Sequence, residues 1–196
     1  MNILVIKSSV CGDNGNSSSL VNSQLATLQA QHPDATVVVR DLSTDPIPHL
    51  DGERVGAFFT PADQRSEDQQ AVDAFSMALI DELKTADHIV LGLPMYNFGI
   101  PSQLKSWIDH VARAGVTFRY TENGPQGLLD DKPVTVLSAR GGLYAGTEND
   151  TVTPYIKLFF GFIGITDVNF VYAEGLNMGD EAKEKAMSEA QAALAG

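Results

Sequence analysis

At 196 residues, with 43% apolar and 19% charged side chains, the chain suits one domain with a sizeable core and is too apolar to be disordered. A net charge of −12 argues against nucleic acid or an anionic membrane as partner, because both need a basic face; a small phosphate stays possible, since N–H groups and hydroxyls hold one without lysines. The single Cys11 excludes an internal disulfide framework and cannot alone make a thiolate metal site.

The chain opens on the apolar run Asn2–Ile6 with no basic leader, and no apolar stretch nears the ~18 residues of a spanning helix, so the expectation is a cytoplasmic protein. Short β-branched runs then alternate with longer helical patterns. A strand is predicted over Asn2–Lys7, a helix over Ser18–Gln31 and a second strand over Thr36–Arg40. Next comes a helix over Asp68–Thr85, where Val72, Phe75, Leu79 and Leu83 recur near the helical period, and a strand over His88–Leu93. The remainder reads as helix Ser102–Ala112, strand Pro133–Ser138, helix Val152–Phe162, strand Asp167–Tyr172 and helix Asp180–Leu194. Four of the strands carry continuous apolar cores, as a sheet covered on both faces requires. The alternation implies right-handed crossovers and an α/β fold with a doubly wound five-stranded parallel sheet, order 2-1-3-4-5, as a single domain over 1–196. Two long connections, Ser43–Gln64 and Gly115–Asp131, exceed what a minimal unit needs and are expected to be functional loops or surface decoration.

Ligands of an open parallel sheet bind beyond the strands' carboxyl ends at the switch point, which selects three loops. The first, Ser8–Ser19, runs hydroxyls and small residues into a helix start. It reads either as a cradle for a monophosphate or as a plain N-cap at Ser17 or Ser18. It holds no GxGxxG and no Walker lysine. The second, Pro94–Pro101, places Met95, Tyr96, Asn97 and Phe98 where a turn would prefer polar residues. Its amides and Asn97 suit the edge of a planar ring and its apolar side chains the ring faces; the alternative is a hydrophobic loop packed on the core. The third, Ser138–Gly142, offers consecutive N–H groups at Gly141 and Gly142 as a nest for negative charge, or is an ordinary Gly-Gly turn. The four histidines are scattered and form neither a metal pair nor a triad.

Three segments carry a resemblance. Met95–Lys105 (MYNFGIPSQLK), Arg113–Leu128 (RAGVTFRYTENGPQGL) and Phe160–Ile165 (FGFIGI), with Asp45-Pro46-Ile47-Pro48 before Leu50-Asp51-Gly52, closely resemble the bacterial FMN-dependent NADH:quinone oxidoreductase and azoreductase family. The likeness covers nearly the whole chain. It implies a flavodoxin-like fold, FMN as cofactor, NADH or NADPH as donor, a quinone or azo compound as acceptor, a homodimer and a ping-pong transfer in which the flavin, not a side chain, carries the chemistry. By the same resemblance Ser9, Gly15, Asn16 and Ser17 match the phosphate loop, Met95 to Phe98 the isoalloxazine edge, and Ala139, Arg140, Gly141 and Gly142 the pyrimidine side. Tyr120 and Phe162 match aromatics above the ring. Gly15 and Ala139 stand where serines are common in the family, so two hydroxyl contacts of the resemblance are not expected to carry over, while backbone contacts there can. A flavodoxin-type electron carrier is the alternative function. The apolar segment Pro154–Ile165 is expected to leave aromatics exposed for a two-fold interface or, alternatively, to be a buried core helix.

Overall fold

A strand with apolar side chains at every position needs cover on both faces of its sheet. The computed structural model, which describes residues 1–194, provides that cover. Its elements run β1 (Asn2–Lys7), α1 (Asn16–Gln31), β2 (Thr36–Asp41), α2 (Gly52–Phe59), α3 (Glu67–Thr85), β3 (His88–Pro94) and α4 (Ser102–Val111). They continue with β4 (Phe118–Thr121), β5 (Gly124–Gly127), β6 (Val134–Ala139), α5 (Val152–Ile163), β7 (Val168–Ala173) and α6 (Asp180–Ala193). Five strands form one parallel sheet in the order β2-β1-β3-β6-β7, the expected order once the β4–β5 pair is set aside.

β1 sends Ile3 and Val5 to one side, where Leu20, Val21 and Leu28 of α1 and Ala190 of α6 pack. Leu4 and Ile6 face the other, against Leu79 and Leu83 of α3, Trp107 of α4 and Phe160 of α5. Gly92 lets α1 lie close to β3, because a Cβ there would stand 2.8 Å from Val21 Cγ2. That approach sets the start of α1 directly over the ends of β1 and β3. A capping box starts α3: Ser66 Oγ accepts from the Gln69 N–H at 3.3 Å and Gln69 Oε1 from the Ser66 N–H at 3.1 Å.

The two long connections are largely structured. Within 43–64, Asp51 accepts from the Arg54 N–H at 2.9 Å and caps α2. Arg113 fastens this region to α3: its guanidinium lies 3.9 Å from the Phe58 ring centroid and reaches Asp73 at 2.7 Å and Ser76 at 2.8 Å. Within 115–131, β4 and β5 pair as a hairpin whose turn ends at Gly124, φ 104°. The hairpin rests on the end of α5 with no side chain between: a Cβ at Gly127 would lie 2.1 Å from the Gly164 nitrogen. On α5 itself Ile156, Phe159, Phe160 and Ile163 are buried, and Phe162 packs on Phe118 of the hairpin. The exposed apolar residue of that helix is therefore Leu158 rather than a row of aromatics.

Asp131 ties the start of β7 to the approach of β6. Its carboxylate accepts from Thr166 Oγ1 at 2.6 Å, the Thr166 N–H at 2.7 Å and the Asp167 N–H at 3.2 Å. These bonds hold its pKa at about 2, below the ordinary 3.8. A depressed folded pKa means the stabilisation is complete above the unfolded value and is lost as pH falls through the folded one. The gap in urea midpoint between wild type and Asp131→Asn should thus be widest near neutral pH, shrink below about pH 4 and close near about pH 2. A gap independent of pH would refute the assignment.

Candidate functional site

The carboxyl ends of β1, β3 and β6 open on one cleft of about 240 Å³. It is lined by Ser9, Gly15, Asn16 and Ser17 from the β1–α1 connection, Met95 and Tyr96 after β3, and Ala139, Arg140 and Gly141 at the end of β6. All three loops selected from the sequence therefore meet in one place. Asn97, Phe98 and Gly142 belong to the same loops but stand beside the lining, and Tyr120 and Phe162 are elsewhere. Cys11, Asn14 and Pro94, members of the selected loops that were not singled out as site residues, also line the cleft, and so do Leu176 and Asn177, which were not foreseen. Leu176 and Asn177 come from the β7–α6 connection, where the bracketing Gly175 and Gly179 were the available signal of a tight loop at a strand's carboxyl end.

At the β1 end, α1 begins two residues earlier than the hydroxyl pattern suggests. Gly15 is the N-cap residue, without a side-chain cap, so neither Ser17 nor Ser18 serves as one. Both hydroxyls are buried and, among the described residues, unpartnered. The N–H groups of Asn16, Ser17 and Ser18 likewise find no acceptor among the described residues. Such a helix start is a donor array for an anion. Gly15 is required by space: a Cβ there would lie 2.2 Å from Ser9 Oγ, which accepts from the Cys11 N–H at 3.2 Å and stands 3.4 Å from the Tyr96 hydroxyl. The Ser9 hydroxyl thus occupies the room that a side chain at position 15 would need.

At the β3 end, Tyr96 and Gly99 exchange backbone hydrogen bonds of 3.0 and 2.9 Å across a two-residue turn. Its central residues, Asn97 at φ 50° and Phe98 at φ 60°, are both in the left-handed region. For a phenylalanine that conformation is unfavourable by about 1–2 kcal/mol. The turn leaves the N–H groups of Asn97 and Phe98 without acceptors among the described residues, and Thr151 Oγ1 donates to the Phe98 carbonyl. Strain retained beside a cleft is characteristic of ligand sites.

At the β6 end, the Arg140 side chain departs from the role its motif suggests. It is fully buried and turned into the protein, donating to Ser138 Oγ at 3.0 Å and Thr153 Oγ1 at 2.8 Å, with Asp150 at 3.1 Å and Glu174 at 3.3 Å. Its own N–H is bound to the Ala173 carbonyl at 2.9 Å, so the expected nest shrinks to Gly141 and Gly142, whose N–H groups have no acceptor among the described residues. Burial opposes the Asp150 charge, yet the Thr153 N–H and the Arg140 guanidinium together hold its carboxyl below the ordinary range. Tyr120 is exposed and, like Phe162, packs on Phe118, with ring centroids 5.6 and 4.2 Å away. His110 is buried in the core beside Phe58 and Phe75, where burial lowers its pKa. Among the described residues no group of His, Cys, Asp or Glu is placed to hold a metal, and no helix is long and apolar enough to cross a membrane.

The donor set fits the flavin mononucleotide that the resemblance implies: orphaned hydroxyl and helix N–H groups at one end, orphaned turn N–H groups at the other. Residues 1–196 match a family described by its flavodoxin-like fold, and the chain belongs to that family. Within it, a relative from Alcanivorax borkumensis called FMN-dependent NADH:quinone oxidoreductase is 80% identical over 194 residues, covering 99% of this chain and 98% of the relative. A protein of the same name from Cellvibrio japonicus is 54% identical, covering 96% of this chain and 94% of the relative. Among solved structures, azoreductase AzrA superimposes with a TM-score of 0.90 at 29% identity, covering 100% of this chain and 97% of that one. An FMN-dependent NADH-azoreductase from Bacillus anthracis in complex with FMN gives 0.88 at 28%, covering 98% and 97%.

The orphaned Ser17 hydroxyl has opposite value in the empty and loaded states. Leaving it unpaired in the empty protein costs about 1–3 kcal/mol, so Ser17→Ala should leave the apo-protein as stable or about 1 kcal/mol more so. The same change should weaken FMN binding by about tenfold, roughly 1.4 kcal/mol, as read by quenching of flavin fluorescence. A clear loss of apo-protein stability would show that the hydroxyl already has a partner.

Proposed function

We propose that the protein is an FMN-dependent oxidoreductase that takes hydride from NADH and delivers two electrons to quinones and azo compounds, with the whole chain forming one FMN-binding domain. The observation that carries the reading is the cleft's neutral donor array, unpartnered at both ends, in a chain 80% identical to a relative named for this activity. Bound FMN supplies the two-electron chemistry. The chain's part is to hold and orient. Asn16, Ser17 and the start of α1 hold a phosphate dianion without a free cation. The Asn97 and Phe98 amides and the Asn97 side chain address a ring edge that both donates and accepts. The Gly141 and Gly142 N–H groups, unpartnered among the described residues, would stabilise negative charge on a ring held there. Met95 supplies apolar surface against a ring face. No side chain needs to act as a nucleophile, and dependence on a nicotinamide donor, an intracellular metabolite, supports a cytoplasmic location.

The test is anaerobic reduction of the FMN-loaded protein by NADH alone, followed by turnover with a 1,4-naphthoquinone. Bleaching of the flavin absorbance and multiple turnover support the enzyme. A flavin that NADH leaves oxidised in the absence of a partner protein would indicate a carrier instead. If donor and acceptor use one face in turn, double-reciprocal plots at several quinone concentrations should be parallel. Intersecting lines would require a ternary complex and remove the shared site.

The same proposal includes a homodimer. Tyr120 and Phe162 lie outside the cleft of their own chain, the arrangement expected if they close the cleft of a second copy. The exposed Tyr120, Leu158 and Phe98 are apolar surface that a two-fold interface would cover. Light scattering should give twice the chain mass. Phe162→Ala should raise the KM for the quinone by about tenfold or more, within the roughly 10–200-fold range of lost apolar contacts, while FMN affinity changes little. A fully active monomer would refute this part.

A further inference from the structure

Three consecutive carbonyls at the end of β6 are all occupied from the same side. Arg140 O accepts from the Leu176 N–H at 3.1 Å, Gly141 O from Asn177 at 3.0 Å and Gly142 O from Gly175 at 3.0 Å. Holding every carbonyl against the β7–α6 connection leaves the Gly141 and Gly142 N–H groups as the outward, unpartnered donors. Glu174, the residue that opens that connection, reinforces the arrangement. Its Oε1 accepts from the Tyr144 N–H at 2.9 Å, the Ala145 N–H at 2.8 Å and Arg140 Nη1 at 3.3 Å. Arg140 in turn spans to Thr153 and Asp150 at the start of α5 and lies 4.8 Å from the Tyr172 ring centroid. One guanidinium and two carboxylates therefore join the end of β6, the start of α5 and the end of β7 beneath the cleft.

We infer that Glu174 is a positioning residue of the cofactor site: through Arg140 and the Tyr144 and Ala145 N–H groups it fixes the 140–145 loop so that the N–H groups of Gly141, in the cleft lining, and of Gly142, beside it, stay free as donors. Glu174 does not line the cleft and need not touch the cofactor. Arg140, the one cation in the loop, acts as a strut within the protein, and its charge is matched there by Asp150 and Glu174 rather than offered to a ligand. The donors that meet the ring are peptide N–H groups, whose value depends on their direction and is greatest when the ring carries negative charge. Loosening the loop should therefore weaken binding of the reduced cofactor more than that of the oxidised one.

This inference rests on FMN being the cofactor, so wild-type apo-protein is first titrated with FMN; absence of binding there is a failure of the proposed function, not of the positioning role. Dissociation constants for oxidised and anaerobically reduced FMN are then compared in wild type, Glu174→Ala, Glu174→Gln and Thr153→Val. In Glu174→Ala the reduced form is expected to lose about tenfold more affinity than the oxidised form, equivalent to a fall of about 30 mV in two-electron midpoint potential. Glu174→Gln, which keeps an acceptor for the two loop N–H groups, should recover part of that difference. Thr153→Val, which removes an Arg140 partner at the far end of the strut, should shift the potential in the same direction by less, and it serves if the Glu174 variants fail to fold. Equal losses for both redox forms, with the potential unchanged in every folded variant, would overturn the inference and leave Glu174 a purely structural residue.

Discussion

Parallel pairing of β1 with β3 sets two strand ends side by side while the chains that follow leave in opposite directions, α1 to one face of the sheet and α4 to the other. The central strands β1, β3 and β6 are covered on both faces and paired along both edges, so their backbone polar groups are freed from the ladder only at the strand ends. The divergence keeps the following loops from closing over one another, and the gap between them is the cleft. Close contact of α1 with β3 at Gly92 then delivers a helix start to that gap, while the tight turn after β3 and the pinned carbonyls after β6 supply the other walls. Each wall reaches the cleft with N–H groups, because in each case the carbonyls or the turn geometry are satisfied on the far side.

This arrangement reconciles an acidic chain with an anionic ligand. Lys7, at the end of β1, is paired with Asp13 at 2.7 Å, and Arg140 with Asp150 and Glu174. The nearby cations are thus neutralised within the protein. What remains for a phosphate is a set of dipoles and hydroxyls already held in place by the fold. Such donors need no reorganisation when a charge arrives, which suits a site whose ligand changes its charge during turnover.

The parallel sheet was legible because its strands are short and β-branched and its three central ones, β1, β3 and β6, are buried on both sides; β1 matches its predicted bounds residue for residue, whereas the apolar run of β2 lies at an edge with Val38 and Val39 exposed. The three ligand loops were legible from topology alone. Other features were not. The hydroxyl run hid the true start of α1, since Ser17 and Ser18 look like caps unless it is known that Gly15 already fills that position. Eight residues of α2 carry too short a period to stand out, although Asp51 before Gly52 and Glu53 is a recognisable start signal. The β4–β5 hairpin was signalled by Asn123-Gly124 after Phe118–Thr121, but Gly127 and the Thr and Asn content made the segment resemble a loop. Least legible was the direction of the Arg140 side chain: a motif places a residue on a loop, while burial and partners from α5 and β7 decide which way it points.

The contact between Gly127 and Gly164 joins two backbones with no side chain to act as a cushion. The hairpin that carries Tyr120 and the helix end that carries Phe162 are thereby welded into one piece, with Phe118 packed against both aromatic rings. For anyone redesigning the protein, or for selection acting on it, that weld divides the possible changes into two kinds. The rings themselves can be exchanged one at a time, each altering the shape of a surface without moving its frame. The glycines cannot drift separately, so the spacing between the two aromatic positions is inherited as a unit.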